Sequence, residues 1–197
     1  MPKLYLIRHG ETEWSLSGRH TGRADIALTA HGEEQARGLA APLGTIEFAH
    51  VFASPRQRAR RTCELALPGR KPDIAEELAE WDYGTYEGKR TAEIREERPD
   101  WDLWTDGCPA GESPADVSAR VDRLIDRLLA MQGNLALFSH GHLGCALATR
   151  WIGLAIADGK HFVLDPASLG ILASAPRHDD VRTVSLWNAS AQALSAR

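Results

Sequence analysis

The sequence predicts an α/β fold with a largely parallel sheet. Two observations carry that prediction. Short apolar runs alternate with helix-like segments along the chain, and three of those runs end alike, in a polar turn leading towards a helix start. At 197 residues the expectation is a single domain over residues 1–197, long enough to bury a sizeable core.

The elements follow in order. Residues 3–7 (KLYLI) read as a buried strand. Residues 29–41 read as a helix: Thr29 can cap it, and Glu33 and Glu34 sit where the positive end of the dipole favours them. Residues 49–53 (AHVFA) form a second strand; Ser54-Pro55 then supplies an N-cap and first helical position for a helix to about Leu67, which Pro68-Gly69 ends. A short strand is expected over 73–78. Residues 84–111 combine Gly, Pro and Trp and read as an inserted irregular lobe with a short helix near 90–97. Ser113 to Asp116 resembles a capping box for a helix to about Met131. Residues 135–138 (LALF) are a central strand, 142–152 a helix, and 169–173 and 183–187 two further strands.

Composition excludes several classes. With 23 basic and 27 acidic residues the net charge is −4, and no basic block occurs, so neither nucleic acid nor an anionic membrane is an expected partner. Hydrophobic content of 43% and charged content of 25% exclude wholesale disorder. Cys63, Cys108 and Cys145 are odd in number and form no CxxC pair, which argues against a disulfide framework or zinc knuckle and for a cytoplasmic setting. The apolar run before Arg8 is too short for a signal peptide. Residues 131–149 lack Asp, Glu, Lys and Arg, but contain Gln132, Asn134 and two histidines and are no membrane span. No HxxxH pair occurs among eight histidines, so no metal is expected; GxxxxGK[ST] and GxGxxG are absent too.

The polar chemistry falls at strand ends. LYLI runs into Arg8-His9-Gly10, VFA into Ser54-Pro55, and LALF into Ser139-His140-Gly141. Ligands of open α/β sheets bind at the carboxyl ends of strands, beside helix N-termini. Each residue also has a plainer reading: a histidine at a strand end as a satisfied polar group, Arg56, Arg58, Arg60 and Arg61 as a solvated helix face, Glu76, Glu77 and Glu80 as surface acids. Composition and spacing alone give an α/β domain with a His/Arg anion site.

Five blocks in order carry a family resemblance. LIRHGETEW (6–14), Arg19-His20-Thr21-Gly22 with DIALTAHGEEQA (25–36), SPRQRARRT (54–62), EWDYGTYEG (80–88) and SHGH (139–142) resemble the signature blocks of the histidine phosphatase superfamily, which includes phosphoglycerate mutases. The resemblance spans about residues 3–150. It implies a three-layer α/β/α sandwich with a mostly parallel sheet and the 84–111 lobe lying over the active site.

The resemblance also implies roles. His9 would be the nucleophile; Arg8, Arg58 and His140 would hold the phosphoryl oxygens; Glu80 would be the proton donor. Thr21, Gly22, Tyr83 and Gly141 would line the phosphate and substrate site. Ser15 stands where many members carry an Asn that touches phosphate, and its hydroxyl can still donate. Glu112, in a recurrent Gly-Glu-Ser element, would be structural. The chemistry fits. Two guanidiniums grip equatorial oxygens and stay charged, while His9 must be neutral at its attacking nitrogen, its other nitrogen donating to a carbonyl of the Gly10 turn. Arg and His charges take the place of Mg²⁺, so no cofactor is implied.

Phosphoglycerate mutases carry a substrate-gripping Lys at the position of Thr91 and an adjacent Arg pair in a longer insertion. Neither is present here, which favours hydrolysis over mutase chemistry. Within the superfamily the chain resembles most the sedoheptulose-1,7-bisphosphatase-like branch, through Trp81 to Gly84, Tyr86 to Gly88, WDLWTDG (101–107) with Cys108, Gly111-Glu112 and SHGH. Trp101 and Trp104 read equally as lobe packing or as substrate contacts. The implied partner is a small phosphorylated substrate, a sugar phosphate or a broad range of phosphomonoesters. Members of the family are often dimers, so a homodimer is one state to expect. A third reading, a non-catalytic phospholigand-binding module, has no use for an acid at Glu80.

Overall fold

The computed structural model describes residues 1–176 and 178–195. Six strands, β1 (Lys3–Arg8), β2 (Phe48–Ala53), β3 (Asp73–Ile74), β4 (Asn134–Ser139), β5 (Leu169–Ala175) and β6 (His178–Ala189), form one sheet in the order β3-β2-β4-β1-β5-β6. β1, β2, β3 and β4 pair in parallel, β5 runs antiparallel to β1, and β6 returns antiparallel beside β5. The sheet is thus parallel where β1, β2 and β4 end side by side.

Strand alternation divides the core in two. Leu4, Leu6, Leu135 and Leu137 face one way, onto α7 (Pro114–Leu129) and α8 (Gly141–Trp151). Tyr5, Ile7, Ala136 and Phe138 face the other way, towards α2 (Ala30–Gly38), α3 (Ala40–Gly44) and α4 (Gln57–Ala66), where Leu39, Leu43, Cys63 and Ala66 meet them. Helices on both faces make the expected three layers. α7 is specified locally as well: Ser113 and Asp116 exchange backbone N–H bonds in a capping box, Pro114 opens the helix, and Val117, Val121, Leu124, Ile125 and Leu128 bury one stripe.

The remaining helices are short. α1 (Glu13–Ser17) is capped by Thr12, α5 (Thr91–Glu97) and α6 (Leu103–Asp106) lie in the lobe, and α9 (Ala191–Ser195) ends the described chain. The lobe packs into the α7/α8 core through Tyr86, Ile94, Trp101, Leu103, Trp104 and Cys108. Both lobe tryptophans pack rather than face the cleft: Trp101 Nε1 donates to Gly107 O at 2.9 Å, and the Trp104 ring meets Trp81 edge-on at 5.5 Å.

Four expectations needed correction. The helix over 29–41 is two helices: Gly38 weakens the first, and Pro42, which cannot donate to a carbonyl one turn back, fits only in the first turn of a new one. The strand over 73–78 stops after Ile74, because only Asp73 and Ile74 find partners on β2; a 3-10 turn, Glu76–Leu78, then buries Leu78. Ser54-Pro55 does not cap α4, which starts at Gln57 with Arg56 at its N-cap, because Ser54 N extends the sheet ladder to Phe138 O. α1 was not anticipated, since five residues give no periodicity. Among the described residues no helix is long and apolar enough to cross a membrane.

Leu137 is fully buried at mid-strand in β4, the strand flanked by β1 and β2. Leu137→Ala should cost about 2–5 kcal/mol of unfolding free energy with an unchanged urea m-value. Urea titration followed by circular dichroism measures it, and a loss under about 1 kcal/mol would contradict the assigned packing.

Candidate active site

β1, β2 and β4 end level with one another. Arg8 pairs with Ser139 and Ala53 with Phe138, and the ladder continues one step further, with His9 N donating to Ser139 O at 3.0 Å and Ser54 N to Phe138 O at 2.9 Å. His9, Ser54 and His140 therefore emerge from one sheet edge, where loops are free of the ladder.

His9 is 5% exposed, and its Nδ1 donates to Gly10 O at 2.7 Å, which leaves Nε2 unprotonated in the neutral ring. Burial, then Arg58, then Arg8 hold its pKa well below the usual histidine value, so the ring is neutral at pH 7. The turn is held from two sides. Gly10 N donates to Thr62 Oγ1 at 3.0 Å, and Thr62 Oγ1 donates to Arg58 O at 2.7 Å. A Cβ on Gly10 would lie 2.3 Å from Gly32 O, and one on Gly32 would lie 2.1 Å from Glu11 O, so this turn and the start of α2 touch backbone to backbone.

Arg58 is fully buried on α4. Its Nη1 donates to Ala24 O at 2.9 Å, Nη2 to Thr21 O at 2.8 Å, and Nε to His140 Nδ1 at 3.2 Å. Guanidinium nitrogens only donate, so His140 accepts at Nδ1 and donates from Nε2 to Ser54 Oγ at 2.7 Å. Burial is again the first cause lowering the His140 pKa, with Arg58 next. The His9 and His140 rings stand 5.2 Å apart. Glu87 completes the support: its carboxylate accepts from Gly22 N at 2.8 Å, Ala24 N at 3.0 Å and Arg23 N at 3.3 Å. Arg58 thus holds the carbonyls of the 21–24 loop and Glu87 its amides.

Arg8 donates from Nη1 to Leu164 O at 2.5 Å, while its buried Nε has no hydrogen-bond partner. Burial lowers the pKa of both guanidiniums, and Glu80 is the first of the charges that oppose the shift. The Glu80 carboxyl caps the start of α8, with Oε1 accepting from Leu143 N at 2.7 Å and Trp81 N at 2.9 Å, and Oε2 from His142 N at 3.0 Å. A fully buried and a half-buried guanidinium beside the Glu80 carboxyl group make an anion seat.

A cleft of about 340 Å³ opens over these groups. Of the residues read from the sequence, Arg8, His9, Ser15, Thr21, Glu80, Tyr83 and Gly141 line it. Arg58, His140 and Gly22 stand behind that lining, joined through the Arg58 contacts with His140 Nδ1, Thr21 O and Gly22 O. Ser15 lines the cleft, but its hydroxyl is engaged with the backbone of Thr12, donating to Thr12 O at 3.0 Å and accepting from Thr12 N at 2.9 Å.

Sequence reasoning missed part of the wall. His142, His20 and Cys145 line the cleft, as does the segment 162–165, which supplies the carbonyl that Arg8 uses; Thr91, read from the sequence as the place of the mutases' lysine, lines it too. His142 was legible in SHGH and His20 in the second block; residues 162–165 carry no sequence signal. Burial pushes the Tyr83 phenol well above its usual value, so it stays protonated while sharing a hydrogen bond with His142 Nδ1 at 2.6 Å. His142 is held neutral by burial, and His20 is lowered to about 4, by burial first and His142 second.

The chain is similar over most of its length to several known proteins. The family model described as histidine phosphatase superfamily (branch 1) matches residues 4–189. A Mycobacterium tuberculosis protein named acid phosphatase is 46% identical over 173 residues, covering 86% of this chain and 85% of its own. Sedoheptulose 1,7-bisphosphatase of Saccharomyces cerevisiae is 34% identical over 188 residues, covering 79% of this chain and 69% of its own. The solved structure of the product of open reading frame Rv3214 of Mycobacterium tuberculosis superposes with a TM-score of 0.90 at 41% identity, over 96% of this chain and 98% of that one.

Buried neutral histidines make stability depend on pH. His9, His20, His140 and His142 have folded pKa values below the unfolded value near 6.5, so the unfolded chain binds protons first as pH falls. Stability should be full above pH 6.5 and decline below it, the His20 share being spent by about pH 4. Urea unfolding at pH 7.5, 6 and 5 checks the slope. His20→Asn should flatten it by up to about 1.4 kcal/mol per pH unit, and equal stability at pH 7.5 and 5 would refute the assignment.

Proposed function

The chain belongs to the histidine phosphatase superfamily, and on that footing we propose that it is a metal-independent phosphomonoesterase acting through phospho-His9 on small phosphorylated metabolites, sugar phosphates above all. The observation that carries this reading is the His9 ring, neutral, buried, pinned through Nδ1 to Gly10 O and facing the cleft with Nε2. The two relatives named for phosphatase activity support hydrolysis, and the bisphosphatase supports a sugar phosphate.

The step begins with the phosphoryl group seated at Arg8, where the unpartnered Nε and the start of α8 at Gly141 offer donors. Arg58 and His140 stand behind His9, where their mutual bond at 3.2 Å fixes the His140 tautomer and Arg58 lends the seat its positive charge. His9 Nε2 attacks phosphorus in line, the P–O bond to the substrate alcohol breaks, and its electron pair stays on the leaving oxygen. Glu80, lining the same cleft, gives that oxygen its proton. The resulting carboxylate then takes a proton from the incoming water, whose oxygen attacks the phosphohistidine, returns the imidazole and releases inorganic phosphate. The charge on the transferred group is met by cations already fixed in a water-poor site.

Hydrolysis is favoured over mutase chemistry at the cleft wall. Thr91, where the mutases carry lysine, places its Oγ1 3.3 Å from His20 Nε2, and no lysine lines the cleft among the described residues. Three free, buried cysteines fit a reducing, cytoplasmic setting.

Two experiments test the reading. His9→Ala should abolish hydrolysis of p-nitrophenyl phosphate in EDTA, and rapid quenching of wild type with ³²P-labelled substrate should trap a base-stable, acid-labile adduct on His9; a variant with wild-type turnover, or no adduct, overturns it. Glu80→Gln should slow alkyl phosphates by about 10²–10⁴-fold and dinitrophenyl phosphate far less. Equal losses would remove Glu80 from the donor role, and a screen of sugar phosphates then ranks substrates by kcat/KM.

A further inference from the structure

Glu80 sits in an awkward place for a group that must deliver a proton along a defined line. Residues 79–82 lie between two 3-10 turns, Glu76–Leu78 and Gly84–Tyr86, and belong to no strand or helix. Several of their backbone groups are satisfied instead by one ion pair. Arg120, on α7, donates from Nη1 to Glu77 O at 2.9 Å and to Ala79 O at 2.7 Å, just before Glu80. Its Nε and Nη2 donate to the two carboxylate oxygens of Glu112, at 2.8 and 2.7 Å. Glu112 Oε2 accepts from Asp82 N at 2.9 Å, just after Glu80, and Glu112 N donates to Asp82 O at 2.9 Å. Glu112 O takes the indole N–H of fully buried Trp81 at 2.9 Å.

The pair is largely shielded from water, with side chains 13% and 21% exposed, and neither residue lines the cleft. A forked guanidinium–carboxylate contact is geometrically stiff, and its rigidity passes to whatever backbone it also bonds. Two Arg120 donations and the Glu112 carboxylate bond to Asp82 N converge on residues 77–82, while the far end of Glu80 is held by amides of α8.

We propose that Glu112 and Arg120 are positioning residues for the proton transfer by Glu80. They fix the backbone on both sides of Glu80, so that its carboxyl meets the leaving oxygen in a single geometry. The proposal rests on Glu80 being the proton donor, and it adds that the donor's aim is set from α7. Misplacement of a proton donor by about 1 Å can cost on the order of 10²-fold, and that cost falls on reactions that need the proton most.

The test is a leaving-group series. kcat/KM is measured for dinitrophenyl, p-nitrophenyl, phenyl and alkyl phosphates with wild type, Arg120→Ala, Glu112→Gln and Glu80→Gln, at a temperature where circular dichroism shows each variant folded. Arg120→Ala should lose about 10²-fold on alkyl phosphates and less than about threefold on dinitrophenyl phosphate. Glu112→Gln keeps an acceptor for Asp82 N and should lose less, with the same slope; it stands in if Arg120→Ala does not fold. In the Glu80→Gln background, Arg120→Ala should add no further leaving-group dependence. A uniform loss across the series in the clamp variants, with Glu80→Gln still discriminating, assigns the pair a purely structural role and overturns the proposal. If Glu80→Gln itself fails to discriminate, the reading of Glu80 falls first and the proposal falls with it.

Discussion

Burial of positive charge at one sheet edge is the constraint on which the rest of this structure depends. Arg58 is wholly enclosed, Arg8 half-buried, and His9 and His140 lie against them. Charged groups do not leave water without partners. The guanidiniums therefore take up backbone carbonyls at Thr21, Ala24 and Leu164, and the imidazoles lose their protons. Both outcomes serve the chemistry. The carbonyls leave the cations charged and fixed, and the lost proton leaves His9 the bare nitrogen that the proposed attack on phosphorus needs. The same desolvation that costs folding energy sets the reactive form of the ring.

Carboxylates do the organising around this centre. Glu87 gathers three amides of the 21–24 loop, Glu80 caps α8, and Glu112 with Arg120 braces the chain that carries Glu80. Each sits where backbone groups would otherwise lie unpaired in irregular structure. Loops around the site thus acquire the definition that strands and helices have from their own ladders, which a preorganised reaction centre requires. The lobe shares in this, since Trp81, Trp104 and Tyr83 pack against His142 and the core rather than against solvent.

Legibility in the sequence followed the physics of each part. β1, β2 and β4 were readable because buried parallel strands are continuous apolar runs, and His9 and His140 because they follow those runs directly. The Nδ1 bond to Gly10 followed from needing one nitrogen bare. Chain order said nothing, however, of residues 162–165, which reach Arg8 only because β5 returns antiparallel beside β1. Nor could it show that Arg58 spends its donors on a loop some 34 residues earlier. The split at Leu39 and the two-residue β3 depended on tertiary pairing, which overrides local preference.

The contact between Gly10 and Gly32 has a mechanical meaning. With a peptide oxygen filling the space where either residue would carry a side chain, the His9 turn and the first turn of α2 meet with no slack. No yielding side chain lies between them to absorb a displacement of the helix. In the proposed reaction, loosening α2 would therefore widen the spread of positions from which the imidazole approaches phosphorus.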